Sequence, residues 1–260
     1  MSDAAVASLT KKRAMPVFDS SLPVASRVGG NNRFLATLPS TAYSLLAPHL
    51  RTIPLKRGAT LYEIGEKIEQ VYFPDGAGMV SLLAITPSGA SIESASVGRD
   101  GVLGASAGLG PTWTVARAVV QLPGTAASIS AAHFRAAAAK SQTLRDQIVR
   151  YNNALLAQIQ QAVVCNALHS VRARLCRWLL QANECIDGDA IPATQDFLAQ
   201  TLGVRRTTVT SAARLLQREG MIRCRRGLIQ IVDRAALEEN SCECYGALRE
   251  AHKVFQVRSS

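Results

Sequence analysis

From Ala131 to Cys185 the chain runs for more than fifty residues without a glycine or a proline, and most of that stretch is made of good helix formers. Such a run commits the middle of the molecule to helix and separates two regions of different texture. Before it, from Arg51 to about Gly124, lie short alternating segments such as "IPLKRGATLYEIGE", "VYFPDGAGMVSLLAIT" and "ARAVVQLPGTAASIS", punctuated by Gly, Pro and Asp. Short strands with turn signals every eight to twelve residues predict an antiparallel barrel or jelly roll.

Within the helical run, Leu144, Ile148, Tyr151, Leu155, Ile159, Ala162 and Val163 recur at three- and four-residue steps, in a helix expected from about Ser141 to Ala167. A stripe of that length predicts a seam buried against a second copy of the chain; a helix packed on its own barrel is the alternative. "SVRARLCRWLLQANE" follows as a separate amphipathic helix, and "CIDGDAIP" as a turn-rich link. Residues 1 to 30 are small, polar and unpatterned, the signature of a disordered tail.

After the link, "ATQDFLAQTLG" reads as a short helix with Thr194 as its N-cap, one apolar side carrying Phe197, Leu198, Ala199 and Leu202, and Gly203 as its stop. Beyond Gly203, the apolar residues Val204, Val209, Ala212, Ala213, Leu215 and Leu216 fit the inner face of a second helix. Ala199, Gly203 and Val209 stand in the order a helix-turn-helix requires: a small residue where the helices cross, a Gly at the turn, a branched residue inside the second helix. Three threonines in four positions are costly for a helix. They make sense if the outer face, with Arg206, Thr207, Thr210, Ser211 and Arg214, is kept polar and short-chained to enter a major groove.

"REGMIRCRRGLIQIVD" then supplies a helix end at Gly220, a strand around Met221 to Cys224, an Arg-Arg-Gly turn and a strand from Leu228 to Val232, which reads as a hairpin wing. Between 203 and 226 seven arginines face one acid, Glu219, a local net charge of +6. This density predicts phosphate binding, with Arg205, Arg206, Arg214, Arg225 and Arg226 in the contact surface. The whole chain of 260 residues carries +10, which favours an acidic polymer as partner.

No run of 18 or more apolar residues and no basic-then-apolar leader is present, so a cytoplasmic protein without membrane contact is expected. The six cysteines, at 165, 176, 185, 224, 242 and 244, lack the spacing of a secreted disulfide framework, and reduced thiols are expected. Cys242 and Cys244, with His252 nearby, are closer together than a zinc knuckle requires, so neither a metal nor a cofactor is expected. His49, His133, His169 and His252 sit in unrelated contexts, and no nucleophile-base spacing or P-loop is found, which argues against an enzyme.

Barrel, long helix and winged helix-turn-helix, in that order, resemble the Crp/Fnr family of bacterial transcription regulators. The resemblance spans residues from about 33 to 245. Its most specific parts are "PLKRGATLYEIGE", similar to the family's early barrel strands, and "TQDFLAQTLGVRRTTVTSAARLLQREGMI", similar to its DNA-reading motif. It implies an α+β chain: an effector domain over 31–140 with a cyclic-nucleotide-binding-like β-barrel (jelly roll), a dimerisation helix over 141–169, a winged helix-turn-helix domain over 170–245 and a C-terminal tail over 246–260. It also implies a homodimer, double-stranded DNA and RNA polymerase as partners, and a small-molecule effector not identified by the residues. In the DNA-reading motif it places Arg206 and Thr207 near base edges, Ser211 one turn on, and Thr208 near a phosphate. Thr207 takes the place of the family's usual acidic base reader, and Ser211 stands where an arginine is common.

The effector site departs further from the family. Its cyclic-nucleotide binders follow Gly-Glu with an Arg-Ser or Arg-Thr pair, the Glu holding the ribose and the Arg the phosphate. Here Gly104 is followed by Ala105, and Thr112-Trp113 lies where the Arg pair is expected; Arg99 and Arg117 are the remaining cations nearby. An anionic phosphate buried without its cation is costly, so cyclic AMP is not the expected effector. The N-terminal domain has no cysteine, which removes the iron-sulfur route of oxygen-sensing relatives. A cyclic-nucleotide-type regulatory or interaction module without gene control is the alternative, but it leaves "RRTTVT" without a job. A thiol sensor at Cys165, Cys176 or Cys185 is a minor variant, since helical cysteines are commonly small core residues.

Overall fold

Asn32 anchors the first helix: its side chain caps helix α1 (Arg33–Ala36) by accepting from Leu35 N, and its amide donates to the carbonyls of Pro74 and Gly101. The computed structural model describes residues 28–110, 112–186 and 188–257. Of the expected disordered tail, residues 1–27 lie outside the described residues. Helix α2 (Ser40–Leu46) follows and buries Ala42 and Leu46.

Seven strands come next: β1 (Arg51–Leu55), β2 (Thr60–Tyr62), β3 (Gln70–Asp75), β4 (Met79–Ile85), β5 (Ser91–Val97), β6 (Arg117–Leu122) and β7 (Gly124–Ser130). They form two antiparallel sheets, β1-β7-β3 and β2-β6-β4-β5, so the expected barrel is a jelly-roll-like pair of sheets and is not closed. Alternation along the strands turns Val71, Phe73, Val80, Val97, Ala118, Val120, Ala126 and Ile129 into one shared core.

Helix α3 (Ala131–Lys140) leads into α4 (Gln142–Leu168), capped by Ser141. At 1.5 Å per residue the 27 residues of α4 extend for roughly 40 Å. The expected dimer stripe needs correction here. Leu144, Ile148 and Tyr151 are buried in the N-terminal core of their own chain, where Tyr151 meets Phe34 edge-on at 5.9 Å, and Leu155 packs against the same core. Ile159 and Ala162 are half-buried. Leu144, Ile148 and Tyr151, filled into that core, are closed to a partner. Val163, the last member of the expected stripe, stays exposed, and with Val149 and Leu156 at seven-residue steps it makes an open face of α4, 47%, 53% and 65% exposed in chain order from Val149 to Val163. The two faces are hard to separate in sequence because both carry aliphatic residues at helical spacing.

Helix α5 (Val171–Glu184), capped by Ser170, begins the second core. It is covered by α6 (Gln195–Leu202), α7 (Arg206–Arg218) and α8 (Arg234–Asn240), and by a small sheet in the order β8-β10-β9: β8 (Ala190–Ile191), β10 (Leu228–Ile231) and β9 (Ile222–Arg225). The link at 185–192 therefore contributes a strand to the wing, which its turn-rich composition hid. The expected C-terminal tail is also different: α9 (Cys244–Val257) is helical and lies against α4, with Tyr245 and Leu248 buried; residues 258–260 lie outside the described residues. Among the described residues no helix is long and apolar enough to cross a membrane.

Candidate nucleic-acid interface

Thr194 accepts from Phe197 N and starts α6, with Asp196 in its first turn. The helix ends as expected at Gly203, whose φ of +62° lets its N–H reach the Gln200 carbonyl while Val204 N donates to Ala199. The same closure ends α7, where Gly220 N reaches Gln217 and Met221 N reaches Leu216. Between these two stops, α7 buries Val209, Ala213 and Leu216 against Leu198, Leu202 and the α5 side chains Trp178 and Leu179. Packing of that inner face fixes which side of α7 faces solvent.

The outward side carries Arg206, Thr207, Ser211 and Arg214, all exposed, with Arg205 and Thr208 beside them. Arg205 occupies the N-cap and makes no side-chain cap, so its side chain satisfies none of the first N–H groups of α7. That combination suits an anionic oxygen. Thr210 departs from expectation: it is half-buried, and its hydroxyl turns inward to Gln195 Oε1 and the Arg206 carbonyl. Ser211 keeps its exposure while donating to the Thr207 carbonyl at 3.0 Å.

The wing is held beside this face. Gly227, at φ +73°, takes the left-handed position in the turn between β9 and β10, which leaves Arg225 and Arg226 exposed. Gln217 Oε1 accepts from Cys224 N at 2.7 Å, tying the wing to α7. Arg172 makes two bonds to Glu219, at 3.2 and 2.5 Å, and one to Asn240, which anchors the far end of α7 to α5 and α8. Sequence reasoning missed Asp196, whose carboxylate pairs with Arg206 at 3.2 Å. Both groups are about two-thirds exposed, so the pair is weak and Arg206 is free to exchange it for another acceptor.

Of the residues expected at an effector site, Gly104, Ala105 and Thr112 lie near one another and Arg99 does not join them. Gly104 and Ala105 start a buried turn, Ala105 within the core, and Ser106 contacts Thr112 at 3.2 Å. Arg117 is spent on Glu63 at 2.8 Å. Arg99 lies elsewhere, donating to the Glu184 carbonyl at 2.7 Å beside a cavity of about 500 Å³. That cavity also touches Arg33, Ser96, Gln158, Tyr245 and Arg249, so it joins the N-terminal sheet to α4, α5 and α9.

Residues 173–240 match the family model of the Crp-like helix-turn-helix domain. The chain carries a Crp-like helix-turn-helix domain. In the Crp-like domain, α6 and α7 are the helix-turn-helix and β8, β9 and β10 form its wing. The fold of the chain is that of Crp/Fnr proteins. It is similar to FixK2 from Bradyrhizobium japonicum, at 15% identity and a TM-score of 0.64, over 74% of this chain and 98% of that one. A CRP-family transcriptional regulator from Thermus thermophilus is 20% identical, with a TM-score of 0.59, over 73% and 96%. The c-di-GMP-responsive global regulator CLP of Xanthomonas campestris is 15% identical, with a TM-score of 0.56, over 73% and 97%. No curated protein matches the chain.

Proposed function

We propose that this protein is a homodimeric transcription regulator that reads a two-fold DNA operator through α7. The exposed face of Arg206, Thr207, Ser211 and Arg214 beside the wing arginines carries this reading, because nothing in the module's own packing uses those side chains as a group. Arg206 supplies a planar fork for a guanine edge, while Arg225 and Arg226 meet the sugar-phosphate backbone. The open face of α4, with Val149, Leu156 and Val163, gives the dimer seam. Two copies joined there present two α7 helices to half-sites about one turn of DNA apart, roughly 34 Å.

Coupling from effector domain to reader runs through buried Arg174 on α5. Its guanidinium donates to Asn166 near the end of α4 and to the Leu202 carbonyl at the end of α6. The cavity beside Arg99 is the seat for a small-molecule effector, because one ligand there touches both the sheet and the helices that move the reader. Cyclic AMP does not fit this scheme, since Ala105 and Thr112-Trp113 stand where its binders carry the Glu and the Arg pair. Selection of bound duplexes from a random pool by the full chain tests the reading. A two-fold consensus is expected. Retention of all duplexes alike, varying only with salt, would show a generic polyanion binder and defeat it.

A further inference from the structure

Cys165 and His169 stand one helical turn apart at the C-terminal end of α4, just before the Crp-like domain begins. Cys242 and Cys244 occupy the joint between α8 and α9, just after it ends. The fold brings the four together: one ligand atom from each lies within 4.8 Å of all the others. Cys165 Sγ is 3.5 Å from Cys242 Sγ, and Cys244 Sγ is 3.4 Å from His169 Nδ1. The sulfur separation is far beyond a disulfide bond, which is about 2.05 Å. It is close to the edge of a tetrahedron around zinc, which for Zn–S bonds of about 2.3 Å comes to roughly 3.8 Å.

We propose that Cys165, His169, Cys242 and Cys244 form a mononuclear Cys3His site for a thiophilic divalent cation, zinc above all, which staples the two ends of the DNA-binding domain together.

Three observations beyond ligand count support it. Glu243 accepts from His169 Nε2 at 3.0 Å, which turns the Nδ1 lone pair toward the sulfurs, and a carboxylate behind a metal-bound imidazole is the usual outer partner. Gln161 donates to Cys244 Sγ at 3.0 Å, a bond suited to a thiolate ligand. Three thiolates and a neutral imidazole around a divalent ion leave one negative charge, and the cations to balance it are close by. Arg174 and Arg177, both buried on α5, interact electrostatically with Cys165. Arg174 is bonded to the neutral oxygens of Asn166 and Leu202, and its Nε has no partner.

Four protein ligands with three sulfurs make a closed site, which suits a structural ion and leaves no open position for substrate. Cys165, Cys242 and Cys244 are buried, so the ion is shielded. The spacing that argued against a knuckle was misleading because Cys242 and Cys244 find their two partners more than 70 residues upstream, closing a long loop. The nearby His252 in sequence is not needed: His169 supplies the nitrogen.

The test is cobalt(II) titration of the reduced, metal-free full chain, followed by zinc. Saturation at one ion per chain is expected, with the visible d–d bands of tetrahedral cobalt and a sulfur-to-cobalt charge-transfer band, both erased by zinc. Cys224→Ser, on the wing, should retain all of it; Cys165→Ser and Cys242→Ser should lose saturable binding. Glu243→Gln should keep the spectrum and bind about ten- to a hundredfold more weakly. A wild-type chain without the charge-transfer band overturns the proposal, whatever the variants do. So does a Cys165–Cys242 disulfide found by mass spectrometry in protein isolated without metal.

Discussion

Gly203 presses the turn of the helix-turn-helix against Ile92 on β5: a Cβ built on the glycine would stand 2.6 Å from Ile92 Cδ1. Beside this contact Gln200 Nε2 donates to Ser91 Oγ at 3.0 Å. The helix-turn-helix module therefore rests directly on the N-terminal sheets at the β4–β5 hairpin.

Gly203→Ala should destabilise the chain by about 1–2 kcal/mol, because a side chain in the left-handed region carries that cost by itself. Ile92 can swing its terminal methyl aside, so the steric part is the smaller. Thermal unfolding of Gly203→Ala, Ile92→Ala and the double variant separates the two. Full recovery in the double variant would mean the contact, not the backbone, sets the cost.

Arg206→Ala and Arg226→Ala should fail differently. Loss of Arg206 should remove roughly 1–3 kcal/mol of preference for the selected operator over scrambled duplex. Loss of Arg226 should weaken both duplexes alike and reduce the salt slope by about 0.9 for each phosphate no longer neutralised. Affinities over a salt series decide. An Arg206→Ala protein that keeps its full preference would remove α7 from the reading role.

Leu156→Lys with Val163→Lys should give a folded monomer with weak operator binding, because both side chains are exposed on one face of α4. Leu144→Ala, in the N-terminal core, should instead lower stability by about 2–5 kcal/mol without dissociating the dimer. Sedimentation and thermal melts on each variant separate seam from core. A double lysine variant that still sediments as a dimer places the seam elsewhere.

Glu93, on β5, faces Ser81, Arg177 and Trp178, and burial pushes its carboxyl up to about 7 despite the pull of those neighbours. Between pH 4.5 and 7 the folded chain then holds this proton while the unfolded chain has released it, so stability falls as pH rises through that window. Glu93→Gln should flatten the decline and leave the variant more stable above pH 7, by on the order of 1–3 kcal/mol. Chemical denaturation at pH 5 and pH 8 reads it. An unchanged slope would assign the decline to another group.

Local order was legible wherever a short-range rule settles it. Thr194 and Gly203 bound α6 because capping and left-handed stops depend only on neighbours, and Gly220 ends α7 for the same reason. The strand texture of 51–124 predicted antiparallel sheets, since alternation and turn residues act locally. The outward face of α7 was also legible, because burying Val209, Ala213 and Leu216 leaves only one orientation for Arg206 and Arg214.

Tertiary structure decided whatever depends on which of two compatible surfaces meets which. Leu144, Ile148 and Tyr151 could have faced a partner or their own core, and only the folded core shows that they fill it and leave Val149, Leu156 and Val163 outside. Thr210 shares the polar face in sequence, yet Gln195 across the turn draws its hydroxyl inward. Arg99 parted from Arg117 because one lies over α5 and the other over Glu63. The meeting of Cys165 and His169 with Cys242 and Cys244 could not be read along the chain, since the α4–α9 contact that creates it depends on the intervening domain being folded.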